Sequence, residues 1–166
     1  MPVLRAARAA SALLSAVAVV ALVAVGPAQA AAPSTPSGDN MCILDARTGG
    51  HPDYDRLVFD VSRDTLPTAV HAEVSPDGTY SPGGTGEFKH LAITAKNYLL
   101  LDISPADGYA YTTPTVQPVS LPSLKGIQMT GGFEGHTTFG LSLGDYSRYK
   151  VSTLTSPSRI VIDIYH

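Results

Sequence analysis

The chain has 166 residues, with 11 Lys and Arg against 14 Asp and Glu, a single cysteine and no tryptophan. A mildly acidic balance with no basic block argues against nucleic acid as a partner. One cysteine excludes an internal disulfide, so packing must supply the stability.

The first segment reads as an export signal rather than as structure. Arg5 and Arg8 precede an uncharged apolar stretch from Ala9 to Val25, followed by Gly26, Pro27 and the small-residue sequence Ala28-Gln29-Ala30. This is the pattern of a secretory signal peptide over 1–30, cleaved after Ala30. The apolar run falls slightly short of the roughly 18 to 20 residues needed to cross a bilayer as a helix, which disfavours an uncleaved anchor. The only cysteine, Cys42, does not follow that run directly, so a lipid anchor is also disfavoured. Residues 31–40, A-A-P-S-T-P-S-G-D-N, read as a flexible leader. What remains, 41–166, is long enough for one domain with a real core. After processing, 9 Lys and Arg stand against 14 Asp and Glu, a net charge of −5.

From Cys42 onward the chain alternates short β patterns with Gly, Pro and Asp turn signals, and no helical period persists for ten residues. Strands are expected at Cys42 to Arg47, Arg56 to Val61, Ala69 to Val74, Phe88 to Thr94 and Tyr98 to Ile103. Four more follow at Gly126 to Thr130, Thr137 to Leu143, Tyr149 to Leu154 and Arg159 to Tyr165. Eight or nine short strands cannot hide their apolar faces in one open sheet, so an all-β, mostly antiparallel two-sheet sandwich is expected. Cys42, followed by Ile43 and Leu44 at a strand start, is expected to be buried.

Two strands share one pattern, R-L-V-F-D-V at Arg56 to Val61 and R-I-V-I-D-I at Arg159 to Ile164. Each puts three large apolar side chains on one face and Arg, Val and Asp on the other. If the two are antiparallel neighbours, the Arg of each faces the Asp of the other, giving two cross-strand ion pairs. The alternative role for Arg56 and Arg159 is to bind a carboxylate or pyrophosphate by paired hydrogen bonds, as cell-wall polymers and stem peptides would offer.

Three connections stand out. Thr48 to Asp55, T-G-G-H-P-D-Y-D, is a polar turn in which His51, Asp53 and Asp55 are either solvated or an acid/base or cation-holding group. Ser75 to Glu87 carries four glycines and two prolines and reads as a mobile hairpin tip. Ser104 to Leu124, with four prolines and the tyrosines Tyr109 and Tyr111, is either a binding loop or the place of an unrecognised edge strand. Tyr146 and Tyr149 also lie near loops, where they offer stacking surfaces or close the sandwich ends.

Gly140-Leu141-Ser142-Leu143-Gly144 matches the G-x-S-x-G nucleophile elbow. That elbow needs a strand before it and a helix after it, whereas here the motif lies inside an alternating strand, so Ser142 reads as a strand residue. The five histidines show no metal-ligand spacing. No catalytic residue, metal or cofactor is expected.

The segments Gly132-Phe133-Glu134-Gly135, Thr138-Phe139-Gly140-Leu141-Ser142-Leu143 and Leu154-Thr155-Ser156-Pro157-Ser158-Arg159-Ile160-Val161-Ile162-Asp163, with Gly50-His51-Pro52-Asp53-Tyr54-Asp55-Arg56-Leu57-Val58-Phe59 before them, resemble the AMIN-like domain of secreted and lipid-anchored actinobacterial proteins. The resemblance spans Cys42 to His166. It implies a non-catalytic β-sandwich acting at the cell wall, similar to the AMIN domain that accompanies cell-wall amidases and secretins. The expectation is therefore an exported envelope module binding peptidoglycan or another wall component, with Arg56, Arg159, Glu134 and His51 near the ligand. The alternative is a protein-interaction module that meets a secreted partner through the 104–124 loop. A small hydrolase using Ser142, or His51 with Asp53 and Asp55, is a third reading.

Overall fold

The computed structural model of the protein describes residues 40–62, 65–83 and 85–166. The expected signal peptide, and all of the expected leader except Asn40, lie outside the described residues.

In chain order the strands are Met41–Gly50 (β1), Tyr54–Val61 (β2), Ala69–Ser75 (β3), Thr79–Tyr80 (β4), Lys89–His90 (β5) and Asn97–Ser104 (β6). The second half adds Ala106–Asp107 (β7), Val116–Pro118 (β8), Leu124–Phe133 (β9), His136–Leu143 (β10), Arg148–Leu154 (β11) and Arg159–Tyr165 (β12). Two five-stranded sheets result, ordered β11-β12-β2-β1-β7 and β3-β6-β10-β9-β8, with β4 and β5 as a separate small ribbon. All pairs are antiparallel except β1 with β7.

The two sheets stack through the apolar faces that alternation creates. Leu57, Phe59, Ile160, Ile162 and Ile164 of the first sheet meet Leu99, Leu101, Ile103, Phe139 and Leu141 of the second in one buried cluster. The Phe59 and Phe139 rings lie 4.4 Å apart across the interface, and Tyr111 closes on Phe139 edge-on. This is the expected all-β sandwich. Cys42 is buried and unpaired.

The expected strand at Phe88 to Thr94 is a correction. Only Lys89 and His90 pair, and residues 91–95 run over the second sheet as a strap. The strap's backbone bonds go to a side chain and to a turn carbonyl rather than to a ladder: Leu91 N–H donates to Gly78 O, and Ala92 N–H to Gln128 Oε1. Its side chains need glycine beneath them. A Cβ on Gly140 would lie 2.3 Å from Leu91 Cδ2, and one on Gly126 2.3 Å from Ile93 Cδ1. Ser142 Oγ donates to Ile93 O at 2.6 Å. The G-x-S-x-G pattern is therefore the seat of the strap, with two of its three named positions holding the crossing segment against β10.

The long Ser104 to Leu124 connection holds two short strands that periodicity did not show. β7 extends the first sheet at one edge and β8 the second. Strands of two and three residues carry too little alternation to register in a sequence. β9 and β10 close in a two-residue turn, Glu134 and Gly135, both at positive φ (49° and 78°), the geometry that tight hairpins favour because its twist matches the strands.

Candidate functional site

The outer face of the first sheet follows from register. β2 pairs with β12 so that Arg56 lies opposite Asp163 and Arg159 opposite Asp60. Arg56 makes the expected cross-strand ion pair, and it is bidentate, Nε to Asp163 Oδ1 at 2.7 Å and Nη2 to Oδ2 at 2.9 Å. The Asp163 side chain is only 8 % exposed, and its carboxylate raises the Arg56 pKa above the ordinary value. The second expected pair does not form. Asp60 is taken by Arg47 of β1, through Nε at 2.5 Å and Nη2 at 2.7 Å, and Arg159 turns its Nε to Pro157 O. A register shift in β1 between Ile43 and Asp45 brings Arg47 onto the outer face beside Val58, within reach of Asp60. The hydrogen bonds from Arg47 hold the Asp60 carboxyl below its usual range.

Five cations therefore share this face. Arg47, Arg56 and Arg159 are joined by Arg148 and Lys150 of β11, whose register places them opposite Tyr165 and Asp163. Against them stand Asp45, Asp60 and Asp163. No carboxylate among the described residues comes within ion-pair distance of Arg148, Lys150 or Arg159. One end of the face is aromatic. His51 stacks on Tyr54 at 4.4 Å, Tyr54 lies 5.4 Å from Tyr165, and the Arg148 guanidinium sits 3.5 Å over the Tyr165 ring. Alternation places Arg56 on the same side as Tyr54, and its guanidinium lies 5.1 Å from that ring.

Of the four sequence-predicted site residues, His51 and Arg56 meet in a shallow cleft with Arg47, Thr48 and Gly49. Arg159 shares their sheet face, but sits roughly 13 Å along the strand from the Arg56 row. Glu134 belongs to the other sheet, at the β9–β10 turn, where it lines a different cleft. Arg47, Arg148 and Lys150 were not singled out by sequence reasoning. Their signal was present in β11, where Arg148 and Lys150 alternate with the inward Tyr149 and Val151.

The polar turn around His51 divides in the structure. His51 is exposed on its stack, and Asp53 accepts from the His166 N–H through its backbone carbonyl. Asp55 is not in the solvated turn at all: it is fully buried, its Oδ2 accepting from Ser123 N–H at 2.5 Å and Leu124 N–H at 2.8 Å. It fastens the chain just before β9. Among the described residues no group of His, Cys, Asp or Glu is arranged to hold a metal.

Ser123 Oγ lies 3.2 Å from His166 Nδ1 and near Asp55, but the three are not a hydrolytic triad. The Ser123 hydroxyl is buried and donates to Asp145 O at 2.6 Å, and Asp55 contacts the Ser123 backbone, not the imidazole. Ser142 is likewise buried beneath the strap.

No helix among the described residues is long and apolar enough to cross a membrane. The family model described as AMIN-like domain matches residues 42–166. No curated protein matches the chain.

Proposed function

Because the chain belongs to the AMIN-like domain family, we propose that it is an exported, non-catalytic module of the cell envelope that binds a cell-wall polymer, peptidoglycan or an anionic polymer attached to it. The observation that carries this reading is the outer face of the first sheet. Arg47, Arg56, Arg148, Lys150 and Arg159 gather there from β1, β2, β11 and β12, although the processed chain as a whole carries −5. Concentrating cations on one face of an acidic protein creates a local field for carboxylates and phosphates, the charged groups of wall polymers. His51 and Tyr54 at its end add apolar ring surface for sugars. Arg56 is orientated by Asp163, which fixes the guanidinium but occupies its fork. Arg148, Lys150 and Arg159 are the cations with donors to spare.

The test is co-sedimentation of the exported chain with purified cell-wall sacculi, with and without teichoic polymers and across a salt series. Saturable pelleting that weakens with salt is expected. The combined change Arg148→Ala, Lys150→Ala and Arg159→Ala is expected to weaken it by about tenfold, taking each exposed charge at roughly 0.5 kcal/mol. Arg56 is left in place, since its removal would strand the buried Asp163 carboxylate and confuse binding with folding. Pelleting that is absent, or is indifferent to salt and to the triple change, sinks the reading.

A further inference from the structure

The strap at 91–95 covers only half of the second sheet's outer face. Beyond Gly140 the segment from Tyr80 to Gly83 crosses the sheet, with Tyr80 bonded to Gln128 and Gly83 against Phe133, and beside it lie two adjoining clefts of about 280 and 200 Å³. The two share Ser81, Asp102 and Thr138 and form one groove. The groove runs from Phe133 and Glu134, across β10 and β6, to His71 and Glu73 on β3. Three strand spacings make about 14 Å, the length of roughly four residues of extended chain.

Two features identify its occupant. Phe133 is 55 % exposed at one end of the groove, an expense of apolar surface with no role in the core. Phe133 is also held in place, because a Cβ on Gly83 would come within 2.9 Å of its own Cβ. The second feature is charge. The residues lining the two clefts include Glu73, Asp102 and Glu134 and not one Lys or Arg. His136 Nδ1 lies 2.9 Å from Asp102 Oδ1. An anionic ligand is repelled here, whereas a cation gains from the carboxylates and from the Phe133 ring together.

We propose that this groove docks a Lys- or Arg-bearing peptide segment of an extracytoplasmic protein partner, with an apolar side chain of that segment on Phe133 and its cations between Glu134, Asp102 and Glu73. The proposal stands apart from wall binding, which uses the opposite face of the sandwich.

The experiment is fluorescence anisotropy of a labelled Lys-Phe-Lys-Lys peptide with the exported chain, beside the same peptide with Gln for each Lys and a labelled neutral chitotetraose. The cationic peptide is expected to bind saturably and roughly tenfold more tightly than the Gln version. Phe133→Ala and Glu134→Gln, both at exposed positions, are expected each to weaken it by about fivefold with an unchanged circular dichroism spectrum. The Arg148, Lys150 and Arg159 triple change is expected to leave peptide binding intact, which separates this result from that of sacculus pelleting. Equal binding of the Gln peptide, binding of the sugar chain alone, or indifference to the combined Phe133→Ala and Glu134→Gln change overturns the proposal.

Discussion

Replacing Asp55 with alanine tests whether this carboxylate is a structural fastener or a functional acid. The side chain is 0 % exposed, and its Oδ2 receives the backbone N–H groups of Ser123 and Leu124, two residues that are themselves fully buried. Alanine leaves both donors without an acceptor in a region closed to water. At about 1–3 kcal/mol for each stranded donor, the loss comes to roughly 2–6 kcal/mol, a large part of the ~5–15 kcal/mol that holds a domain together. Asp55→Asn keeps an oxygen in place and loses the charge assistance, so it should cost less, about 1–2 kcal/mol. Asp53→Ala, two residues away on the exposed turn, should stay within about 0.5 kcal/mol of the parent.

Urea unfolding followed by circular dichroism gives the three differences. Hydrogen exchange at the Ser123 and Leu124 amides locates them, since those two amides should lose protection first. Parent-like stability for Asp55→Ala, or an equal cost for Asp53→Ala, would refute the reasoning. So would enzymatic turnover that Asp55→Asn abolishes at unchanged stability.

Gly140→Ala should cost about 1–3 kcal/mol by overpacking, because the new methyl arrives 2.3 Å from Leu91 Cδ2 and the strap must rise. Ser142→Ala should cost about 1 kcal/mol through the lost bond to Ile93 O, and turnover of an ester, peptide or glycan that vanishes in this variant would contradict the structural role of the motif. For Asp60, Arg47 depresses the folded-state pKa. The stabilisation is therefore present above the unfolded carboxylate value, near ~3.9, and is lost as pH falls through the depressed one. Asp60→Asn should be less stable than the parent at pH 7 by about 0.5–1 kcal/mol. That gap should close as the solution is acidified below pH ~4, and a gap unchanged between pH 7 and pH ~2.5 would exclude the ion pair as its cause.

The sandwich was legible because two strands state it clearly. Leu57, Phe59 and Val61, and Ile160, Ile162 and Ile164, alternate without exception, and the matching Arg and Asp positions predict the register that places Arg56 against Asp163. The partner of Asp60 was not legible, since a shift in β1 decides it and a bulge leaves no mark in the alternation of the other strands. Phe88 to Thr94 looked like a strand for a related reason. Its apolar residues alternate because Leu91 and Ile93 pack onto Gly140 and Gly126, and periodicity records burial without recording whether the backbone pairs. Asp55 misled because its neighbours His51 and Asp53 are exposed, while the next strand turns it inward under Ser123. The basic face was the least legible part, for its cations come from four strands far apart in the chain and only topology collects them.

That topology also explains how one small domain can present two surfaces with opposite preferences. Each sheet spends its inward positions on the shared core, so the outward positions of the two sheets are free to diverge. On the first sheet Arg47, Arg56, Arg148, Lys150 and Arg159 outnumber the acids, and in the groove of the second Glu73, Asp102 and Glu134 stand without a Lys or Arg among them. Sheets in a sandwich pack about 10 Å apart, and outward side chains on the two add to that separation. At ionic strengths near 0.15 M, where the screening length is about 8 Å, the two fields are largely independent. If a polymer is held on one face and a cationic segment in the groove of the other, the two therefore do not compete through the domain, which is the physical condition for a wall-bound module to carry a second protein.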